Sequence, residues 1–190
     1  MSPRSRFIIF LTVIVGLALL LVLIFGRKKP SSSTTKSITN QPASLVDYAN
    51  RDSKVVFVVD GPIIAEEDHR SVRITVGRGS RTLEIIKGYQ NNVIESHRFD
   101  NNKDAYKTFL YAIARYNFAK KRTTKLENVT GACPQSQRYL LQLYDNNDKK
   151  QDLWTATCTK GTSGADYAQI RVLFQKQIPD YSKLLGSTQL

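Results

Sequence analysis

The chain has 190 residues and a formal net charge of +12, with 41% hydrophobic and 23% charged residues. That length allows one domain of ordinary size plus extras, and the composition is that of a globular protein. The charge weakens as an argument for nucleic-acid binding once it is split: residues 1–36 hold six basic side chains and no acid, so half of the excess lies beside an apolar segment, where cations meet lipid headgroups and set orientation.

That segment, FIIFLTVIVGLALLLVLIFG at residues 7–26, carries no charge. As a helix it reaches ~30 Å, the thickness of the bilayer hydrocarbon. A cleaved signal peptide has a shorter apolar core and a small-x-small site after it, whereas Arg27-Lys28-Lys29 follows here. We expect an uncleaved single-pass transmembrane helix, contacting lipid through residues 7–26 and preceded by a short tail over 1–6. Arg4, Arg6 and the terminal amine flank one end and Arg27, Lys28 and Lys29 the other, so flanking charge is nearly balanced and slightly favours a cytoplasmic C-terminal domain. Residues 27–44 form a basic juxtamembrane run and a Ser/Thr-rich linker. Its PSSSTTKSITNQPAS stretch is too poor in apolar residues to order itself. It reads as a flexible stalk of roughly 20 Å.

A globular domain is expected over 45–190. KVVFVVD (54–60) is a β-branched apolar run, and SVRITV (71–76) and RTLEIIKGY (81–89) alternate as strands do. GRGS between them reads as a hairpin loop using glycine for positive φ. Pairing residues whose numbers sum to 157 sets Ile74 opposite Leu83, Val72 opposite Ile85 and Arg73 opposite Glu84, so apolar pairs and an ion pair agree on one register. VIESHRF (93–99) extends the meander; a sum of 182 sets Leu83 opposite Phe99, Glu84 opposite Arg98 and Lys87 opposite Glu95. Most charges of the strands then have a structural explanation on a solvent face.

Over 103–121 the period changes to helical, with Tyr106, Phe109, Leu110, Ile113 and Tyr116 on one side. Asn101 is the expected N-cap, and Lys120, Lys121 and Arg122 the basic C-terminal end that suits the helix dipole. QRYLLQLYD (137–145) and DLWTATC (152–158) read as a second hairpin around NNDKK. The last helix follows, with Ser163 and Asp166 at capping-box spacing, Tyr167, Ile170, Leu173 and Phe174 buried, and Pro179 as its stop. The fold expected is α+β: a transmembrane helix and a stalk, then an antiparallel β-meander with helices on one face, in the order β-β-β-β-α-β-β-α.

Cys133 and Cys158 are the only cysteines. A zinc site needs more ligands than His69 and His97 supply at this spacing, and a thioredoxin-type pair needs Cys-x-x-Cys. Two separate buried thiols stay open; a disulfide is favoured, provided that the loop at Pro134 folds back. Such a bond persists only in an oxidising compartment, which turns the localisation toward a cell-membrane protein with an extracytoplasmic C-terminal domain. Asn128-Val129-Thr130 fits an N-glycosylation acceptor, which has meaning only in a eukaryotic secretory host.

No phosphate loop or G-x-S-x-G elbow is present, and Glu66-Glu67-Asp68 beside His69 reads as a solvated turn. No cofactor, metal or catalytic residue is expected. The run from KGYQNN through DNNKDAYKTFLYAI, with the late C…W…C and QIPDYSKLL, resembles single-pass membrane proteins of uncharacterised activity from small-genome bacteria of the Saccharibacteria type. The resemblance covers most of residues 80–185 and implies an envelope protein, without a site. Type IV pilins, which carry a glutamate early in their apolar helix, are not the expected match, since residues 7–26 hold no acid. The favoured function is a non-enzymatic, membrane-tethered domain binding a protein partner or ligand at the envelope. A hydrolase-like envelope enzyme and a membrane-associated nucleic-acid binder are the alternatives. The last requires Arg70, Arg73, Arg78 and Arg81 to share one basic surface with Lys120, Lys121 and Arg122.

Overall fold

The alternating apolar runs assemble into a six-stranded antiparallel sheet in the order β4-β3-β2-β1-β5-β6. A computed structural model describes residues 44–186 and 188. The expected transmembrane helix at 7–26 and nearly all of the linker lie outside the described residues. Among the described residues no helix is long and apolar enough to cross a membrane.

A 3-10 helix, Leu45–Asn50, precedes β1 (Ser53–Asp60), β2 (Arg70–Gly77), β3 (Ser80–Lys87) and β4 (Asn92–Asp100). Helix α1 (Lys103–Arg115) then carries the chain across the meander to β5 (Arg138–Asp145), on the free side of β1. Next come β6 (Asp148–Ala156), α2 (Tyr167–Gln175) and α3 (Tyr181–Leu185). The architecture is therefore α+β with an antiparallel sheet. The short 3-10 helix and α3 add to the expected order.

The β2–β3 register is the expected one, with Ile74 opposite Leu83, Val72 opposite Ile85 and Arg73 opposite Glu84. The β3–β4 register is not: Leu83 faces His97 and Glu84 faces Ser96. A bulge at Ile94 shifts the pairing, so that Ile85 meets Glu95 and Ile86 meets Val93. The reason is that a two-residue slip preserves every face, so alternation alone does not resist it. The β2–β3 turn also differs, since neither Gly77 nor Gly79 takes a positive φ; Gly88 and Asn91 do, in the next turn.

Helix α1 starts at Lys103 as expected, but its cap is the neighbouring asparagine. Asn102 caps it through Ala105 N–H at 2.9 Å, while Asn101 donates to Gly77 O. It ends at Arg115, so Lys120–Arg122 are no helix terminus. The second hairpin is tighter than expected: Asp148, Lys149 and Lys150 belong to β6, the turn is Asn146-Asn147, and β6 stops at Ala156, before Cys158. Asp166 rather than Ser163 caps α2, through Gln169 N–H; Ser163 Oγ accepts from Ala165 N–H.

One face of the sheet carries Val55, Phe57 and Val59 of β1, Val72, Ile74 and Val76 of β2, and Tyr139, Leu141 and Leu143 of β5, all buried. Tyr106, Phe109, Leu110 and Ile113 of α1 and Ile170 and Phe174 of α2 close over it. Phe174 is central: it stacks on Phe57 at 5.3 Å and meets Phe109 edge-on at 5.0 Å. Each such burial contributes about 1.5–3 kcal/mol. Tyr106 brings a hydroxyl into this core. Ser53 Oγ spends its proton on Tyr48 O at 2.6 Å, so the Tyr106 hydroxyl donates to Ser53 at 3.1 Å.

Burial pushes the Tyr106 phenol up to about 12, from an ordinary 10.0. The neutral form is thus the one the fold prefers. Its contribution, about 2–3 kcal/mol, is complete below pH 10 and lost as pH rises through about 12. We expect denaturant titrations to show stability falling across that window, and falling less steeply in Tyr106→Phe.

Candidate functional site

The face of the sheet turned away from the helices is covered by loops at one end. There Asp60, the last residue of β1, follows Val56 and Val58 on that face. Its Oδ2 accepts from Arg138 Nη2 at 2.7 Å and its Oδ1 from His69 Nε2 at 3.0 Å. Arg138 opens β5 directly opposite Asp60 in the ladder, is buried, and also donates to Gly61 O at 2.7 Å. His69 Nδ1 donates to Pro62 O at 2.9 Å. Both ring nitrogens are therefore engaged by groups of the fold itself. The ring also stacks on Tyr89 at 4.2 Å, whose hydroxyl donates to Ile64 O and accepts from Ile64 N–H. The cluster is a stitch that holds the 61–69 loop across the end of the sheet. Ile63 and Ile64 stand exposed on that loop.

The disulfide candidates lie beside it. Cys133 and Cys158 stand at disulfide distance with Cα atoms 5.9 Å apart. The chain does fold back at Pro134, whose carbonyl accepts from Ile63 N–H at 2.7 Å, and Ser136 N–H closes a turn onto Cys133 O. Cys133 is buried with Trp154 and Ala156 in a small second core on the loop-covered side, and Cys158 is exposed. Trp154 Nε1 donates to Glu127 O at 3.2 Å. Gly161 lies so close beneath Trp154 that any Cβ would collide with the ring and its carbonyl.

The structure separates the basic residues into groups. Arg73 pairs with Glu84 at 2.7 Å and donates to Asn91. Arg70 donates to the carbonyls of Glu67 and His69, and Arg78 reaches Arg51 O at 3.5 Å. Arg81 sits opposite Val76, on the helix-covered face, and donates to Asp100 O at 2.9 Å. These four lie on β2, β3 and their turn. Lys120, Lys121 and Arg122 lie past the opposite margin of the sheet, with β1, β5 and β6 between. There Lys121 bridges to Ser163, and Lys120 O accepts from Gly164 N–H at 2.7 Å. His97 is on β4, half-buried and paired with Glu95 two residues away. Glu66, Glu67 and Asp68 are exposed, and among the described residues no metal-competent cluster forms.

What sequence reasoning missed is a groove of ≈ 620 Å³ along β6. Lys150, Gln151 and Asp152 of β6 form one wall, and Lys121, Arg122 and Thr124 the other. It was hidden because Asp148–Lys150 read as a turn rather than as strand. The groove is polar and has more cations than acids in its lining, so it suits an anionic ligand. The chain matches no family model and has no significant match among curated proteins.

Removing the Arg138 guanidinium leaves Asp60 and Gly61 O without their shared donor. For a fully buried pair that costs about 3–5 kcal/mol; Asp60 is a quarter exposed, so we expect about 2–3 kcal/mol for Arg138→Met. Chemical denaturation reads the loss, and limited proteolysis should move to residues 63–68.

Proposed function

We propose that this chain is a membrane-tethered, extracytoplasmic α+β domain that binds a protein partner or ligand at the cell envelope. Residues 7–26 provide the tether on their length and apolarity. The observation that carries the location is the Cys133–Cys158 pair, since a bond between them would last only in an oxidising compartment. Binding is supported by the open polar groove beside β6. A catalytic role for His69 is disfavoured by its two occupied nitrogens.

Thiol labelling tests the location. In intact cells we expect a membrane-impermeant maleimide to label the full chain only after reduction; exposed Cys158 lets the reductant reach the bond without unfolding. Free thiols reached only after lysis would place the domain inside. The bond closes a sequence separation of 25, so reduction, or Cys133→Ser with Cys158→Ser, should lower stability by about 3 kcal/mol.

A further inference from the structure

We propose that the groove beside β6 receives an extended, acidic segment of a partner protein, which adds itself as a short strand to the open margin of the sheet. This rests on the tethered-binding role and specifies the partner surface for it. The backbone of Trp154 already shows the direction in which β6 can bond outward. Its N–H donates to Thr162 Oγ1 at 3.1 Å, and its carbonyl accepts from Ser163 N–H at 2.9 Å. Backbone groups alternate along a strand, and no bulge intervenes between Asp152 and Trp154, so Asp152 turns its N–H and C=O to the same side. By then the 162–164 segment has turned toward Lys120, and no bond to those two groups occurs among the described residues. An unpaired donor and acceptor on one residue are what a strand margin offers to an incoming peptide.

The charge selects the peptide. Lys121 and Arg122, on the far wall, make no ion pair among the described residues. Lys150 holds Asp148 at 3.3 Å. Of the two acids in the lining, Asp152 is occupied by Lys149 at 2.8 Å and Gln142 at 3.0 Å, which leaves Glu127. Arg122 offers a fork to a carboxylate, and Lys121 a second cation beside it. A phosphate group satisfies the cations but has no N–H for the Asp152 carbonyl, whereas a peptide backbone supplies both partners. The bulge at Lys150 limits the open ladder, so the groove takes a few residues of a strand rather than another sheet.

The test uses the full chain in lipid nanodiscs and a decapeptide of alternating Glu and Val. Hydrogen exchange read by mass spectrometry should slow about tenfold across Lys150–Trp154 when the peptide saturates. A Lys/Val peptide should leave it unchanged. Methylating the backbone nitrogens in one of the two alternate frames should weaken binding about tenfold, from one or two lost hydrogen bonds. Lys121→Glu with Arg122→Glu should weaken it about tenfold, with exchange in β1 unchanged as the sign of an intact fold. Unslowed exchange at β6, equal binding of both methylated peptides, or tighter binding of single-stranded oligothymidine overturns the proposal. If β6 stays open while the thiols still label from outside, strand addition fails and the tethered role stands. If the thiols label only after lysis, the location fails, and slowed exchange still upholds the groove.

Discussion

Strand β1 is the constraint on which the rest of the structure depends. Among the described residues it alone joins the β2–β3–β4 meander to the β5–β6 hairpin, through antiparallel ladders on both sides. Its two faces have different tasks. Phe57 looks into the helix-covered core, between Tyr139 and Phe174. Asp60, at its end on the other face, holds β5 through Arg138 and the following loop through His69. An apolar contact and an ionic one thus fix the same pair of strands from opposite sides. The buried ionic contact is not a large net source of stability, because desolvation offsets most of its attraction. Its value lies in direction, since Asp60 accepts well only when strand, loop and histidine are all in place.

The sequence made the meander legible where local pattern and turn chemistry agreed. Val72, Ile74 and Val76 alternate against Leu83 and Ile85, and the Arg73–Glu84 pair allows only one pairing of the two runs. The next strand defeated the same reasoning. A two-residue slip leaves each side chain on its own face, so alternation did not exclude it, and Ile94 adds a bulge that no periodic signal marks. Lys149 and Lys150 were lost for a different reason: Asn-Asn-Asp-Lys-Lys has the composition of a loop, and the pairing of Asp148 with Asp145, Lys149 with Tyr144 and Gln151 with Leu143 on either side of the Lys150 bulge overrides it. The buried stripe of α1 was readable because Tyr106, Phe109, Leu110 and Ile113 satisfy a helical period without help from elsewhere.

The candidate site was much less legible than the fold. Asp60 could be placed on a face by parity, but Arg138 lies in a strand reached only after a helix and a long loop, and nothing in either run names the other. Lys121 and Arg122 stood out as a basic cluster; their neighbour Lys150 did not. The proximity of Cys133 and Cys158 was readable as a favoured outcome, while the packing of Cys133 with Trp154, and of Gly161 close against its ring, was not.

The kinks at Ile94 and Lys150 have a consequence for a head tied to a surface. On the proposed location, copies diffuse in two dimensions and collide far more often than in free solution. A flat, unbroken outermost strand would let neighbours zip together into ribbons. Both outermost strands of this sheet are instead interrupted partway along, which shortens any contact that two copies could template.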